Sequence, residues 1–182
     1  MQVLLRMSSA IDRGTAIIGR LVTWLILLSV LVSAGNATSR KLLSISSNGW
    51  LELQWYLFGA AYLLAAAYTL QRGEHIRIDI VSNLLPKAVR NWIDLFGHVF
   101  ILLPLTLIMI RETWPTMARS FALGETSSNF GGLIIWPAKA FILAGFVLLL
   151  IQGISEIIKR IAVMRGLIVE PDASASSHTP IE

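Results

Sequence analysis

Cysteine is absent from this chain of 182 residues. That absence removes disulfide staples, thiolate metal sites and cysteine nucleophiles together. Charge is scarce as well: Asp, Glu, Lys and Arg make up 14% of the residues, against 55% hydrophobic, and the mean hydropathy is +0.69. A soluble domain carries about 25% charged residues, so this composition describes an integral membrane protein. There are three histidines, and only His98 falls within an apolar run; His75 and His178 lie in polar segments. Haem held between membrane helices needs at least one deep histidine and usually two on facing helices, so a haem-binding redox subunit is a poor fit and no cofactor is expected. Phosphate-cradling glycine loops, nucleophile elbows and zinc motifs are also missing, and no enzymatic activity is expected.

What is present is four apolar runs. The first, 17–34, is long enough at about 1.5 Å per residue to cross the hydrocarbon, with Arg20 snorkelling at its start and Gly35 and Asn36 as its expected end. Arginines precede this run, as in a signal peptide. The run is too long for one and no small-x-small site follows, so a retained helix is expected. The second run, 55–70, is short, and the stretch around Trp50 to Gln54 is expected to add an interfacial turn. The third, 92–110, carries Asp94 and His98 in its first turns and Pro104 near its middle, where a bend is expected. The fourth, 137–158, opens on Trp136 and Pro137, a residue suited to the first turn of a helix. These runs predict an all-α integral membrane domain, residues 1–165, with four transmembrane helices and a charged cytoplasmic turn between the second and third. From 166 to 182 the chain is too polar to bury and reads as a disordered tail.

Ten of the fifteen Lys and Arg residues lie in the N-terminus, the central turn and the C-terminus, counting Arg6, Arg13, Arg20, Arg72, Arg77, Lys87, Arg90, Lys159, Arg160 and Arg165. With four spans these segments share one side, and the positive-inside bias makes that side the cytoplasm, with both termini in it. The net charge of +4 therefore reflects topology and headgroup contact with the bilayer, not a nucleic-acid stripe. Glu156 stands at helical spacing from Lys159 and Arg160, cations that also suit a helix C-terminus.

Three groups of residues are candidates for function. Ala61, Ala65 and Thr69 recur every fourth position on the second span, a small-residue ladder that admits another helix closely. Asp94 and His98 share a face of the third helix and can be read as a proton pathway or ion site. The competing reading pairs them with each other or with an adjacent helix, and their nearness to the cytoplasmic boundary favours it. The central turn, QRGEHIRIDIVSNLLP at 71–86, gathers two acids, two arginines and a histidine between apolar runs, and Ile76, Ile78 and Ile80 suit an extended segment while Ile76, Ile80 and Leu84 suit a helix. Glu74, His75 and Asp79 are a weak candidate for a metal cluster. In the outer loop, GETSSNFGG reads by default as a flexible surface segment.

The run AAYTLQRGEHIRIDI followed by NLLPKAVRNWIDLFG, and the later GETSSNFGGLIIWPAK, resembles the small membrane subunit of tripartite ATP-independent periplasmic (TRAP) transporters, the DctQ-like proteins. The informative part is GEHIRID, placed between spans two and three. The resemblance implies a bacterial inner-membrane protein that braces a large membrane subunit. That subunit imports an organic acid with sodium after a periplasmic binding protein captures it. Gly73, Glu74, His75, Arg77 and Asp79, then Trp92 and Asp94, match the family pattern and imply an assembly role; Glu125, Asn129, Trp136, Pro137 and Lys139 imply that the outer loop helps dock the binding protein. A self-sufficient small transporter using Asp94 and His98 is the alternative.

Overall fold

Apolar runs divided by polar breaks fold here into helices that outlast the runs themselves. The computed structural model describes residues 1–44, 47–73 and 86–168. Its elements are α1 (Gln2–Leu43), α2 (Asn48–Arg72), α3 (Lys87–Phe96), a π-helical segment (Gly97–Leu102), α4 (Leu103–Leu123) and α5 (Trp136–Met164). Among the described residues there is no strand, only an isolated antiparallel bridge between Thr126 and Ile134. The helices α1 and α2 pack on one flank of α5, and the α3–α4 rod packs on the other.

The interior is built from small and polar residues. Ser8, Thr15, Val22, Ser29 and Asn36 recur at heptad spacing along α1 and are all buried, as are Ala60, Ala61 and Ala67 on α2 and Gln152, Gly153 and Ser155 on α5. Large apolar side chains point outward instead: Trp24, Trp55, Tyr62, Phe100, Ile101 and Trp114 are all more than half exposed. This inverted distribution belongs in lipid, where backbones gain by close approach and apolar side chains lose nothing by facing out. Gly145 shows how close the approach is, since a Cβ there would fall 2.8 Å from Leu63 Cβ and 3.1 Å from its carbonyl oxygen. Gly145→Ala is expected to push α2 and α5 apart and cost about 1–2 kcal/mol, because the obstacle is partly backbone. A lowered unfolding midpoint in detergent measures it; an unchanged midpoint would mean that the two helices separate freely.

Several boundaries differ from the expected ones. α1 does not end at Gly35 and Asn36: the heptad seam continues through Asn36, and the helix ends where Ser44 takes a left-handed φ of 57°. A glycine inside a helix costs about 1 kcal/mol, too little to stop a helix that is packed beyond it. The third helix does not end at 110 but runs on to Leu123 through Pro115. Beside Pro104, where a bend is expected, the helix takes a π-helical segment just before the proline. Pro104 cannot donate to the preceding turn, which widens so that Leu103 N–H reaches the His98 carbonyl. The Thr106 hydroxyl then donates to the carbonyls of Leu102 and Leu103, at 2.9 and 3.0 Å.

Among the described residues three helices are long and apolar enough to cross a membrane: α1, the α3–α4 rod and α5. The fourth expected span, α2, is 25 residues long but interrupts its apolar run with Tyr56, Tyr62 and Tyr68. The charged turn, with Glu74, His75, Arg77 and Asp79, lies outside the described residues, as does the polar tail beyond Ile168.

Candidate functional site

Polar side chains collect at the two ends of the bundle, and each collection is organised by a carboxylate that the sequence reading did not single out. At the end where α1 begins and α5 finishes this is Asp12. Because α1 and α5 run antiparallel, Asp12 comes beside Gln152, Ser155 and Lys159. Its Oδ1 accepts from Gln152 Nε2 at 2.8 Å and from Ser155 Oγ at 3.0 Å, and Lys159 Nζ reaches Oδ2 at 3.1 Å. Gln152 is fully buried; it also donates to Glu156 Oε1 at 2.9 Å and accepts from Thr15 Oγ1 at 2.8 Å. Gln71 on α2 donates to the Asp12 carbonyl at 3.0 Å, so three helices meet at this residue. Glu156 pairs with Lys159 at 2.5 Å as its helical spacing suggests, whereas Arg160 turns to the other flank.

There Arg160 holds α3. Its guanidinium donates to Asn91 Oδ1 at 2.9 Å and lies 2.8 Å from Asp94 Oδ2. His98 does not meet the Asp94 side chain; its Nδ1–H donates to the Asp94 carbonyl one turn back, at 2.5 Å. The contacts of Asp94 therefore join two helices. Trp92 stands on the same short helix, 60% exposed. Gly73 closes α2 in a left-handed conformation, φ 67°, with its N–H on the carbonyls of Leu70 and Thr69, a conformation in which a side chain is strained. Of the small-residue ladder, Ala61 is buried within the chain's own bundle and Ala65 is half-buried, so the close approach at Ala61 is made by the chain's own helices.

At the opposite end the organiser is Glu52, in the second turn of α2. One carboxylate oxygen accepts from the Ser127 hydroxyl and from Asn129 Nδ2 at 2.8 Å; the other accepts from Leu133 N–H at 2.6 Å. These donors, the Ser127 hydroxyl foremost, hold its carboxyl below the usual carboxylate range. Lys139 likewise holds Glu125 low, from 2.5 Å. Backbone bonds from Ser127 to Leu133 and from Ile135 to Glu125, both 2.9 Å, close the loop, and Asn48 Nδ2 holds the Phe130 carbonyl at 3.0 Å. Gly132 is required at this site, as any Cβ would strike Ser127 and Glu52. The loop is thus an ordered clasp. Asn129 reaches Glu52 and Glu125 reaches Lys139, both side chains remaining partly exposed, and Phe130 is left 97% exposed at the tip. Between the clasp and α2 lies a cleft of about 530 Å³, floored by Leu51, Trp55, Tyr56, Ile135 and Ala138.

The available signal for Glu52 and Asp12 was their rarity, each an isolated acid beside a long apolar run. What each acid binds is far away in sequence and could not be read there. Residues 29–163 match the family described as tripartite ATP-independent periplasmic transporters, DctQ component. Neither a curated relative nor a solved structure matches the chain.

Proposed function

The chain belongs to the DctQ component family of tripartite ATP-independent periplasmic transporters, and we propose that within such a transporter it is the non-catalytic brace of the large membrane subunit. The single observation that supports the reading best is the α3–α4 rod, of whose apolar window only 6% is buried, against 28% for α1 and for α5. A helix so little covered by its own chain offers a long face to a neighbour or to lipid, and the other components of the transporter supply neighbours.

The finer reading is a four-span protein of the bacterial inner membrane, with both termini cytoplasmic, in which α2 spans as well: 25 residues reach about 37 Å, more than the hydrocarbon thickness. Import would be of an organic acid, driven by sodium and supplied by a periplasmic binding protein, with substrate and ion sites on the large subunit. Trp92 and the central turn, from Gly73 through Asp79, would face that subunit at the inner end. The clasp shaped by Glu125 and Asn129 would meet the binding protein at the outer end. Asp94 and His98 suit an assembly role better than a proton pathway, because Asp94 already joins α3 to α5 through Arg160 and His98 is held by a backbone carbonyl of its own helix.

The test is mild-detergent extraction of a C-terminally tagged chain from native membranes, followed by mass spectrometry. A stoichiometric many-span membrane partner is expected. Recovery of this chain alone in several gentle detergents, with transport by liposomes containing only it, would overturn the brace and return Asp94 and His98 to the centre.

A further inference from the structure

The cleft between the clasp and α2 has a wall of graded polarity. Asn48, Leu51, Glu52, Trp55 and Tyr56 recur at the three- and four-residue spacing of one helix face, and all of them line it. Polar groups stand at the start of that face and aromatic ones a turn further along, with about 6 Å of helix from Glu52 to Tyr56. α2 and α5 run parallel in register, Leu63 against Gly145 and Asn48 against Phe130, so Trp55 is level with Pro137. Trp136 and Pro137 open the apolar run of α5, a helix long and apolar enough to cross a membrane. The cleft therefore stands at the edge of an apolar span, its polar end at headgroup level and its aromatic end where hydrocarbon begins, and Trp55 beside it is 74% exposed. That profile along the membrane normal is the profile of an amphiphile.

The charge in the cleft is of one sign. Glu52 lines it, and none of the described residues around it is Lys, Arg or His. The donors on Glu52 are all neutral and it has no ion-pair partner among the described residues; Lys139, beside the clasp, is paired with Glu125. A carboxylate offers about four acceptor positions. Ser127 and Asn129 fill both on one oxygen, and Leu133 N–H fills one on the other, which keeps one position open. An anionic headgroup is repelled by such a wall, and a quaternary ammonium has no N–H to give. A primary ammonium has both the charge and the donors, and Trp55 and Tyr56, within about one helical turn of Glu52, add cation–π attraction.

We propose that the cleft is a binding site for a phospholipid with a primary-amine headgroup, whose ammonium donates to Glu52 and whose acyl chain passes over Leu51 and Trp55 into the bilayer. A volume of about 530 Å³ is that of a small-ligand site, enough for the headgroup and the first part of one chain. A lysine from a partner protein would bring the same ammonium, but not the chain that suits the aromatic end of the cleft. The site requires only that α5 crosses the membrane; it holds for either orientation of the protein and needs no partner subunit.

The test reconstitutes the tagged chain, with whatever subunits accompany it, in vesicles of equal parts phosphatidylethanolamine, phosphatidylcholine and phosphatidylglycerol with matched acyl chains. After re-extraction and washing in lipid-free mild detergent, retained lipid is counted by mass spectrometry. Phosphatidylethanolamine is expected to be retained over each of the others by at least roughly tenfold, the worth of a charge-assisted hydrogen bond. Glu52→Gln removes the charge and should erase the preference. Ala138→Phe fills the cleft from α5 and leaves the Glu52 bonds in place, so it should lower phosphatidylethanolamine retention to the level of the other lipids while amide exchange at Leu133 stays unchanged. Equal retention of the three lipids by the unaltered protein would overturn the proposal, as would a preference that survives either variant, which would put the lipid elsewhere. Carbodiimide, which joins a carboxylate to a primary amine and takes up the water released, identifies the occupant in native membranes. The Glu52 peptide is expected to carry the mass of a phosphatidylethanolamine; a lysine-bearing peptide of another protein in its place would overturn the lipid.

Discussion

Replacing Glu52 with alanine is expected to unfasten the clasp while leaving the bundle folded. The Ser127 hydroxyl, the Asn129 amide and the Leu133 N–H all converge on this one carboxylate, and alanine leaves the three donors without their acceptor. Amide exchange at Leu133 should accelerate at least roughly tenfold, as it does when a locally closed segment opens independently of the core. Glu52→Gln should move in the same direction, because a carboxamide offers one acceptor oxygen to three donors and turns an N–H2 group toward one of them. Acidity should act on the same contacts. Folding depresses the carboxyls of both Glu52 and Glu125, so their contribution to clasp order is complete above the ordinary carboxylate range and is lost as pH falls through the depressed folded values. The clasp should therefore stay closed in mild acid and open only in stronger acid. Unchanged exchange at Leu133 in Glu52→Ala would show that the bridge from Thr126 to Ile134 and the backbone bonds suffice alone.

Asp12→Ala is expected to have the larger effect on global stability. The substitution strips an acceptor from Gln152, Ser155 and Lys159 at once, in a cluster where Gln152 and Ser155 are fully buried. Removing one member of a buried charge pair costs about 3–5 kcal/mol; with the Asp12 and Lys159 side chains still about a quarter exposed, about 2–3 kcal/mol is expected. Asp12→Asn separates the two contributions. Two acids, Asp12 and Glu156, flank the single Lys159, so a neutral asparagine still leaves the lysine paired with Glu156 and keeps an oxygen for Gln152 and Ser155. A small loss for Asn beside a large loss for Ala, read as unfolding midpoints in detergent, would mean that hydrogen-bond acceptance outweighs charge here. Equal losses would make the ion pair the dominant contact.

The sequence reading succeeded where a signal is local and failed where it depends on a distant partner. Trp136 and Pro137 opened the last helix as their types require, and the proline at 104 altered helical geometry beside it. The end of α1 was misplaced because Gly35 and Asn36 look like a stop, and only the packing of Asn36 into the heptad seam carries the helix past them. The third run was bounded at 110 because charge after an apolar run signals a membrane boundary, but that says nothing about whether the helix continues, and it runs on to Leu123. GETSSNFGG looked flexible because glycines and hydroxyls are permissive, and the acid that fastens them lies on α2, far back in the chain.

By itself the sequence determined that this chain is helical, that it lives in a membrane and that it has the makings of a DctQ component, because apolar content, run length and short motifs are properties of contiguous residues. Only the tertiary structure decided that the bundle's interior is polar and small, that Asp12 and Glu52 organise its two ends, and that Ala61 serves the chain's own packing. Those are statements of register between helices, and register comes from glycine contacts and hydrogen bonds across long separations that no local pattern encodes.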